Sequence, residues 1–183
     1  MHPIKPSLRV AKLYLMDTSG SMAEQGKIDM LKKVLVDLLA SGRYYEQDLV
    51  ALWSFNSGCR EHLPLTPVRS VGSRWVRAVH AMSPWGGTAM ATALERALGA
   101  LVAVRGFKKT IVLLSDGMPT QPRAAVLSRI DAARRERVRI STIGFGTARE
   151  IDIPLLQQLA RATGGRYAHA AALAQLAAAL RAA

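Results

Sequence analysis

The stretch Leu13-Tyr14-Leu15-Met16-Asp17-Thr18-Ser19-Gly20-Ser21-Met22 decides the fold of this 183-residue chain. Its first four residues form part of an apolar run, which is typical of a buried strand in a parallel sheet. The run ends in the carboxylate of Asp17, and two hydroxyls, Ser19 and Ser21, follow at alternate positions. The stretch therefore predicts a strand that delivers oxygen-bearing side chains to one edge of a sheet.

Two further turns carry side chains of the same kind. The apolar run 111–114 leads through Ser115 to the carboxylate of Asp116, and the turn Trp85-Gly86-Gly87-Thr88-Ala89 supplies a hydroxyl. Ligands of open parallel sheets bind at the carboxyl ends of the strands, so we expect the three turns to converge. Together they form a hard-oxygen set that suits an octahedral divalent cation such as Mg²⁺ or Mn²⁺. The candidate metal ligands are Asp17, Ser19, Ser21, Thr88 and Asp116.

Apolar runs alternate with amphipathic segments along the chain, which predicts strands separated by helices. The predicted strands are 10–16, 48–55, 60–65, 110–115, 138–145 and 166–168. The predicted helices are 27–40, which stops at Ser41-Gly42, then 72–81, 89–104, 122–137 and 153–162, and a last helix through Leu173, Leu176 and Leu180. This order predicts a single α/β domain over 1–183, with a Rossmann-like, mostly parallel central sheet and helices on both faces.

One strand is expected to lie antiparallel at an edge of this sheet. Asn56-Ser57-Gly58 is a hairpin-turn signal between the strands predicted at 48–55 and 60–65. Pro64 and Pro67 cannot donate ladder hydrogen bonds, so they place the second of these strands at the sheet edge.

The composition points to a cytoplasmic chain with no membrane span. Hydrophobic residues make up 50% of it, which is ample for a core, and no run of about 18 apolar residues occurs. The stretch Met1-His2-Pro3-Ile4-Lys5-Pro6 lacks the long apolar segment of a signal peptide. The single cysteine, Cys59, cannot form an internal disulfide, so we expect a reducing, cytoplasmic setting.

The net charge of +12 favours an anionic partner. The densest basic cluster is Arg134-Arg135-Glu136-Arg137-Val138-Arg139. No aromatic residues alternate with these cations, as a base-stacking surface would require. We therefore do not expect nucleic acid as the partner, and a solvated basic surface is the simpler interpretation.

Enzymatic interpretations of the first turn are not favoured. The segment Gly20-Ser21-Met22-Ala23-Glu24-Gln25-Gly26-Lys27-Ile28 is similar to a phosphate-binding loop, but its glycine spacing is one residue too long and Ile28 replaces the required Ser or Thr. Lys27 is therefore predicted to be a solvated helix residue. An aspartyl phosphatase would need a second carboxylate where Ser19 stands. The hydroxyls could also be simple helix caps, but all five positions together favour a metal site.

The aromatic and sulfur side chains divide into core and rim candidates. Trp53 and Trp75 are predicted to lie in the core. Trp85, beside the Gly-Gly-Thr turn, is a candidate for partner contact at the rim of the metal site, and Met22 and Met118 flank the two acidic turns and share that interpretation.

At these residues the chain resembles the von Willebrand factor A (VWA) family. Its metal-ion-dependent adhesion site (MIDAS) reads Asp-x-Ser-x-Ser, then Thr, then Asp, and the five candidate ligands match that pattern without substitution. The likeness covers essentially the whole chain and is greatest for bacterial intracellular members. The stretches 43–52 and 63–67 resemble the magnesium chelatase D subunit, which couples such a domain to an AAA+ ATPase.

The resemblance implies a metal-dependent protein-interaction module and no catalysis. Ser19, Ser21 and often Thr88 would bind Mg²⁺, or Mn²⁺ or Ca²⁺, directly, and Asp17 and Asp116 would act largely through coordinated water. A partner's Asp or Glu would complete the coordination, and a MoxR-type AAA+ ATPase is one partner class. No small-molecule substrate is expected. A metal-dependent hydrolase or phosphatase and a charge-driven RNA-associated module are the alternatives.

Overall fold

Six strands form one sheet in the order β3-β2-β1-β4-β5-β6 in the computed structural model, which describes residues 9–41 and 44–183. The strands are β1 (Val10–Asp17), β2 (Leu49–Phe55), β3 (Cys59–Pro67), β4 (Lys108–Ser115), β5 (Val138–Phe145) and β6 (Tyr167–Ala170). The helices are α1 (Lys27–Leu38), α2 (Ser73–His80), α3 (Met90–Val102), α4 (Arg123–Leu127), α5 (Arg129–Arg135), α6 (Ile153–Thr163) and α7 (Leu173–Ala182).

The sheet has the predicted topology. β1 pairs in parallel with both β2 and β4, and β5 pairs in parallel with β4 and β6. β3 pairs antiparallel with β2 and lies at the edge of the sheet, where Pro64 and Pro67 are tolerated. Asn56 and Gly58 close the hairpin, because the amide of Asn56 donates to the Gly58 carbonyl at 2.9 Å. The prediction of a mostly parallel sheet with one antiparallel edge strand is confirmed.

Helices cover both faces of the sheet, and strand β1 shows how. Alternate residues of a strand point to opposite faces, and all four side chains of Leu13 to Met16 are buried. Tyr14 and Met16 belong to the core cluster that includes residues of α1, α2 and α7. Leu13 and Leu15 belong to the cluster that includes residues of α3 and α6. A strand buried on both sides is the reason that the opening stretch contains a continuous apolar run.

One predicted helix is divided in the structure, and one predicted helix end falls on a residue that the structure does not describe. The single helix predicted at 122–137 is divided into α4 and α5 at Ser128, whose hydroxyl donates to the Ala125 carbonyl at 2.8 Å and so competes with the helical ladder. Residues 1–8 and Gly42, the predicted stop of α1, lie outside the described residues. None of the helices within 9–41 and 44–183 has the length and apolar character needed to cross a membrane.

His62 on β3 gives a testable pH dependence. Its ring lies 2.7 Å from the Ser54 hydroxyl, and burial, together with the charge of Arg60, lowers the pKa of the imidazole to about 4 from its ordinary 6.5. Between pH 6.5 and 4 the unfolded chain therefore binds more protons at His62 than the folded chain does. The contribution of neutral His62 to the free energy of unfolding is complete above this pH range and is lost as the pH falls through it. The ionisable groups that share its surroundings are Cys59, Arg60, Glu61, Arg74 and Arg77.

We expect His62→Gln to lessen the loss of stability on acidification. Glutamine can still bond to Ser54 but does not take up a proton in this range. Urea denaturation of both proteins between pH 7 and pH 4 measures the effect. Parallel curves of unfolding free energy against pH would contradict the assignment.

Candidate metal centre

The topology brings the two candidate carboxylates to one edge of the sheet. β1 and β4 are adjacent and parallel, with Met16 in register with Leu114, so the residues that follow lie side by side. Asp17 ends β1 and Asp116 follows β4 directly. Both side chains are buried, with at most 1% of their surface exposed. Both candidate acids therefore lie at the carboxyl ends of neighbouring strands.

Backbone hydrogen bonds tie the three turns together. The amide of Gly20 in the first turn donates to the carbonyl of Gly86 in the second at 2.9 Å. The amide of Thr120 in the third turn donates to the carbonyl of Thr88 at 3.0 Å. A Cβ on Gly20 would lie 3.5 Å from that Gly86 oxygen, which is an ordinary van der Waals distance. These bonds fix the relative positions of candidate hydroxyls that are up to 69 positions apart in the sequence (Ser19 to Thr88).

Three side-chain oxygens form a compact triangle. Ser19 Oγ lies 3.1 Å from Ser21 Oγ, and Asp116 Oδ1 accepts hydrogen bonds from Ser21 at 2.8 Å and from Ser19 at 3.4 Å. Oxygens bound to Mg²⁺ at about 2.0–2.1 Å are separated by about 3 Å when they are neighbours in an octahedron. The triangle therefore has the dimensions of one face of an octahedral oxygen site.

Asp17 supports this triangle from behind. Its Oδ1 accepts from the amide of Ser19 at 2.8 Å, and its Oδ2 accepts from the hydroxyl of Ser115 at 2.7 Å. Burial raises the pKa of Asp17 to about 6, although the hydrogen bonds from Ser115 and Ser19 oppose that rise. With both oxygens engaged, the carboxylate holds the first turn against the end of β4.

Thr88 approaches the same place from the second turn. Its side chain is 5% exposed, and a Cβ built on Gly117 would lie 3.9 Å from both Thr88 Oγ1 and Ser21 Oγ. Within residues 9–41 and 44–183 no hydrogen bond is formed by the Thr88 hydroxyl. The structure thus brings Asp17, Ser19, Ser21 and Asp116 into one hydrogen-bonded cluster, with Thr88 beside it.

The prediction that Lys27 is solvated is wrong. Its side chain is 3% exposed, and Nζ lies 2.9 Å from Asp116 Oδ2 and 3.6 Å from Glu150 Oε2. Burial alone would lower the pKa of this ammonium, but the hydrogen bond and charge of Asp116, with those of Glu150, raise it above its usual value. The sequence held a signal for this position, because Lys27 precedes Leu31 by four residues and so shares the buried stripe of α1.

The rim of the cluster is partly apolar. Trp85 and Met118 are each 61% exposed, as expected of side chains available to a partner. Met22 is fully buried, so its predicted place at the rim is wrong. Trp53 and Trp75 lie in the core as predicted.

The donor chemistry of the cluster is distinct from that of zinc or iron sites. Among the residues that the structure describes, no group of three or more His, Cys, Asp or Glu side chains is arranged to hold a metal ion. The candidate centre instead combines neutral hydroxyls with two carboxylates. Hard, mainly neutral oxygens fit Mg²⁺, Mn²⁺ or Ca²⁺ and do not fit a soft metal.

Comparisons with known proteins agree with the fold. The family model described as the von Willebrand factor type A domain matches residues 13–169. A solved structure described as von Willebrand factor type A from Catenulispora acidiphila superposes with a TM-score of 0.83 at 22% identity, covering 96% of this chain and 42% of that one.

Two further solved structures show the same fold in different settings. The pilus adhesin SpaC from Lactobacillus rhamnosus GG gives a TM-score of 0.81 at 17% identity, over 97% of this chain and 30% of that one. The conserved hypothetical protein BatB from Bacteroides thetaiotaomicron gives 0.73 at 18% identity, over 94% of this chain and 97% of that one. The chain thus spans less than half the length of the first two proteins.

Proposed function

This chain belongs to the von Willebrand factor type A family, and we propose that it is a metal-dependent protein-interaction module. In this proposal Ser19, Ser21 and Thr88 hold a divalent cation, Mg²⁺ first among the candidates, with Asp17 and Asp116 supporting them. When bound, the cation supplies a positive charge with one coordination position for a carboxylate of another protein.

The observation that carries the proposal is the triangle formed by Ser19 Oγ, Ser21 Oγ and Asp116 Oδ1, with edges of 2.8–3.4 Å. Two of its corners are neutral hydroxyls, which lower the charge of a bound cation far less than carboxylates would. The third corner belongs to a carboxylate whose other oxygen is paired with the Lys27 ammonium. The side chains would therefore hold the cation without neutralising it, and leave it able to attract an anionic partner.

The rest of the chain is suited to an acidic partner. The net charge of +12 attracts negatively charged proteins at long range and speeds their encounter. Trp85 and Met118 offer apolar contact area beside the cluster. The likeness of 43–52 and 63–67 to magnesium chelatase D subunits supports an AAA+ ATPase as the partner class, and the MoxR type is the class with which many other bacterial members of the family work.

We propose no catalytic activity for the site. A metal-dependent hydrolase needs a base that is free to accept a proton. Asp17 has both oxygens engaged in hydrogen bonds and Asp116 is paired with Lys27. A phosphatase assay in Mg²⁺ should therefore give the same background rate for the wild type and for a Ser19→Ala/Ser21→Ala variant.

The double variant Ser19→Ala/Ser21→Ala tests the metal site itself. Removing two corners of the triangle should weaken Mg²⁺ or Mn²⁺ binding at least about tenfold, or about 1.4 kcal/mol, as measured by isothermal titration calorimetry. Ser70→Ala/Ser128→Ala removes two exposed hydroxyls elsewhere and should leave binding unchanged. Equal affinities of wild type and the Ser19/Ser21 variant would place the bound metal elsewhere and contradict the proposal.

Affinity capture tests the partner half of the proposal. The wild-type domain should retain a protein from its source lysate in Mg²⁺ and release it in chelator, and the Ser19→Ala/Ser21→Ala domain should not retain it. Changing one Asp or Glu of the captured protein to its amide should abolish retention. Retention of the protein in chelator and by the Ser19→Ala/Ser21→Ala domain would show that the metal site is not the binding surface.

A further inference from the structure

A cavity with several basic lining residues lies at the amino ends of the strands, opposite the candidate metal centre. It occupies about 550 Å³ beside the amino ends of β4 and β5, between the loop that precedes β4 and the end of α5. Its lining includes Phe107, Lys108, Arg134, Arg137, Arg139 and Thr163. A volume of a few hundred Å³ is the size of a small-molecule site.

Four exposed cations around this cavity have no acidic partner among the residues that the structure describes. Lys108, Arg134, Arg137 and Arg139 are exposed, and within the described part of the chain they form no ion pair. Glu136 does not compensate them, because its carboxylate lies 4.0 Å from the buried ammonium of Lys109. Four like charges around one concavity repel each other, and an anion in the cavity would relieve that repulsion.

The backbone holds one of these arginines in an uncommon conformation. Arg137 joins α5 to β5 with φ of +54°, in the left-handed region. This position after a helix usually carries Gly or Asn, because a larger side chain is strained there. In this conformation Arg137 is one of the residues that line the cavity.

The aromatic side chain of the cavity does not favour stacked bases. The guanidinium of Arg9 lies over the Phe107 ring at 4.6 Å from its centroid, so that face is already covered. Single-stranded nucleic acid is held largely by bases stacked on open aromatic faces. The cavity therefore favours a ligand recognised by its charge over one recognised by its bases.

We propose that this cavity binds a compact polyphosphate, either free or as the phosphate chain of a nucleotide. Guanidinium groups match phosphate oxygens with paired hydrogen bonds, and clustered cations favour an anion with several neighbouring charges. Their placement around a concavity suits a compact anion better than an extended polymer. This site is independent of the metal centre, since the two lie at opposite ends of the strands.

Isothermal titration calorimetry with pyrophosphate tests the proposal. The buffer contains a chelator, so that no metal ion can bridge pyrophosphate to the hydroxyls of the candidate metal centre. Salt at about 0.15 M suppresses diffuse attraction. We expect saturable binding at one site, at least tenfold weaker in Arg134→Ala/Arg137→Gly. Glycine suits a positive φ, so this variant should melt no lower than the wild type. Ser19→Ala/Ser21→Ala should bind as the wild type does.

A matched control separates a built site from general basicity. Arg69→Ala/Arg74→Ala removes two exposed arginines that lie away from the cavity, one just after β3 and one in α2. This variant should bind pyrophosphate with unchanged affinity. If ATP binds as tightly as pyrophosphate and adenosine does not bind, the ligand is the phosphate chain of a nucleotide. If pyrophosphate binds and ATP does not, the ligand is a free polyphosphate.

The proposal is overturned by any of four results. These are no binding at about 1 mM pyrophosphate, equal losses in the control variant, adenosine binding as strong as that of ATP, or RNA binding that pyrophosphate does not displace.

Discussion

Gly165→Ala is expected to destabilise the domain by about 3 kcal/mol or more, within the range of severe overpacking. A Cβ at this position would lie 2.5 Å from the carbonyl carbon of Ile140 and 2.9 Å from the amide nitrogen of Ser141, both backbone atoms of β5. The backbone around Gly165 is held by its amide, which donates to Ala160 at 2.9 Å. The chain cannot move away from β5 without losing this helix-ending bond.

The same chemical change at Gly99 should have the opposite sign. Gly99 is exposed within α3, and a Cβ there would meet no atom within 4 Å. Alanine stabilises a helix interior by up to about 1 kcal/mol relative to glycine. Urea denaturation of the two variants beside the wild type measures both effects. A Gly165→Ala protein as stable as the wild type would show that β5 can shift to admit the methyl group.

The positions of the strand ends could be read from the sequence because each depends on local patterns. An apolar run that leads to Asp17 or Asp116 predicts both a buried strand and the residue at which that strand ends. Parallel pairing then carries each strand end to the same edge, whatever the separation in sequence. For this reason the sequence predicts that the two carboxylates lie close to the Ser19 and Ser21 hydroxyls, and in the structure both hydroxyls donate hydrogen bonds to Asp116.

Contacts set by tertiary packing had no comparable signal. The Gly164-Gly165 pair indicates the end of α6, but the closeness of Gly165 to Ile140, 25 positions away, depends on how α6 packs against β5. The sequence pattern identifies Ser115 only as the end of a strand, because its bond to Asp17 requires the register between β1 and β4. The charge of Lys27 predicts a solvated side chain, whereas its spacing from Leu31 places it on the buried stripe of α1.

Lys27→Met is expected to destabilise the metal-free domain by about 3 kcal/mol, because removing one member of a buried ion pair leaves the other uncompensated. Asp116 would lose the ammonium at 2.9 Å and retain its bond from Ser21 at 2.8 Å. Methionine has a similar length and no charge, so the volume beneath the cluster stays filled. Lys33→Met, an exposed lysine on the same helix, is the matched control and should change stability little.

Saturating Mg²⁺ should restore more stability to Lys27→Met than to the wild type. In the variant, a divalent cation beside Asp116 would meet an unpaired carboxylate. In the wild type the same carboxylate is already paired with the Lys27 ammonium, which would also repel the divalent cation. We therefore expect Mg²⁺ to bind the variant at least about tenfold more tightly, with a correspondingly larger rise in melting temperature. Weaker binding by the variant would mean that Lys27 serves chiefly to orient Asp116.

Tighter metal binding in Lys27→Met should come with weaker capture of the acidic partner. With the ammonium gone, the full charge of Asp116 would offset part of the cation's charge, and less would remain to attract a partner carboxylate. Under the proposed function, the wild-type pairing of Lys27 with Asp116 would favour a cation that is bound with moderate affinity and strongly attracts an anionic partner. Measuring Mg²⁺ affinity and partner retention on the same variant tests this opposition, and a variant that improves both would refute it.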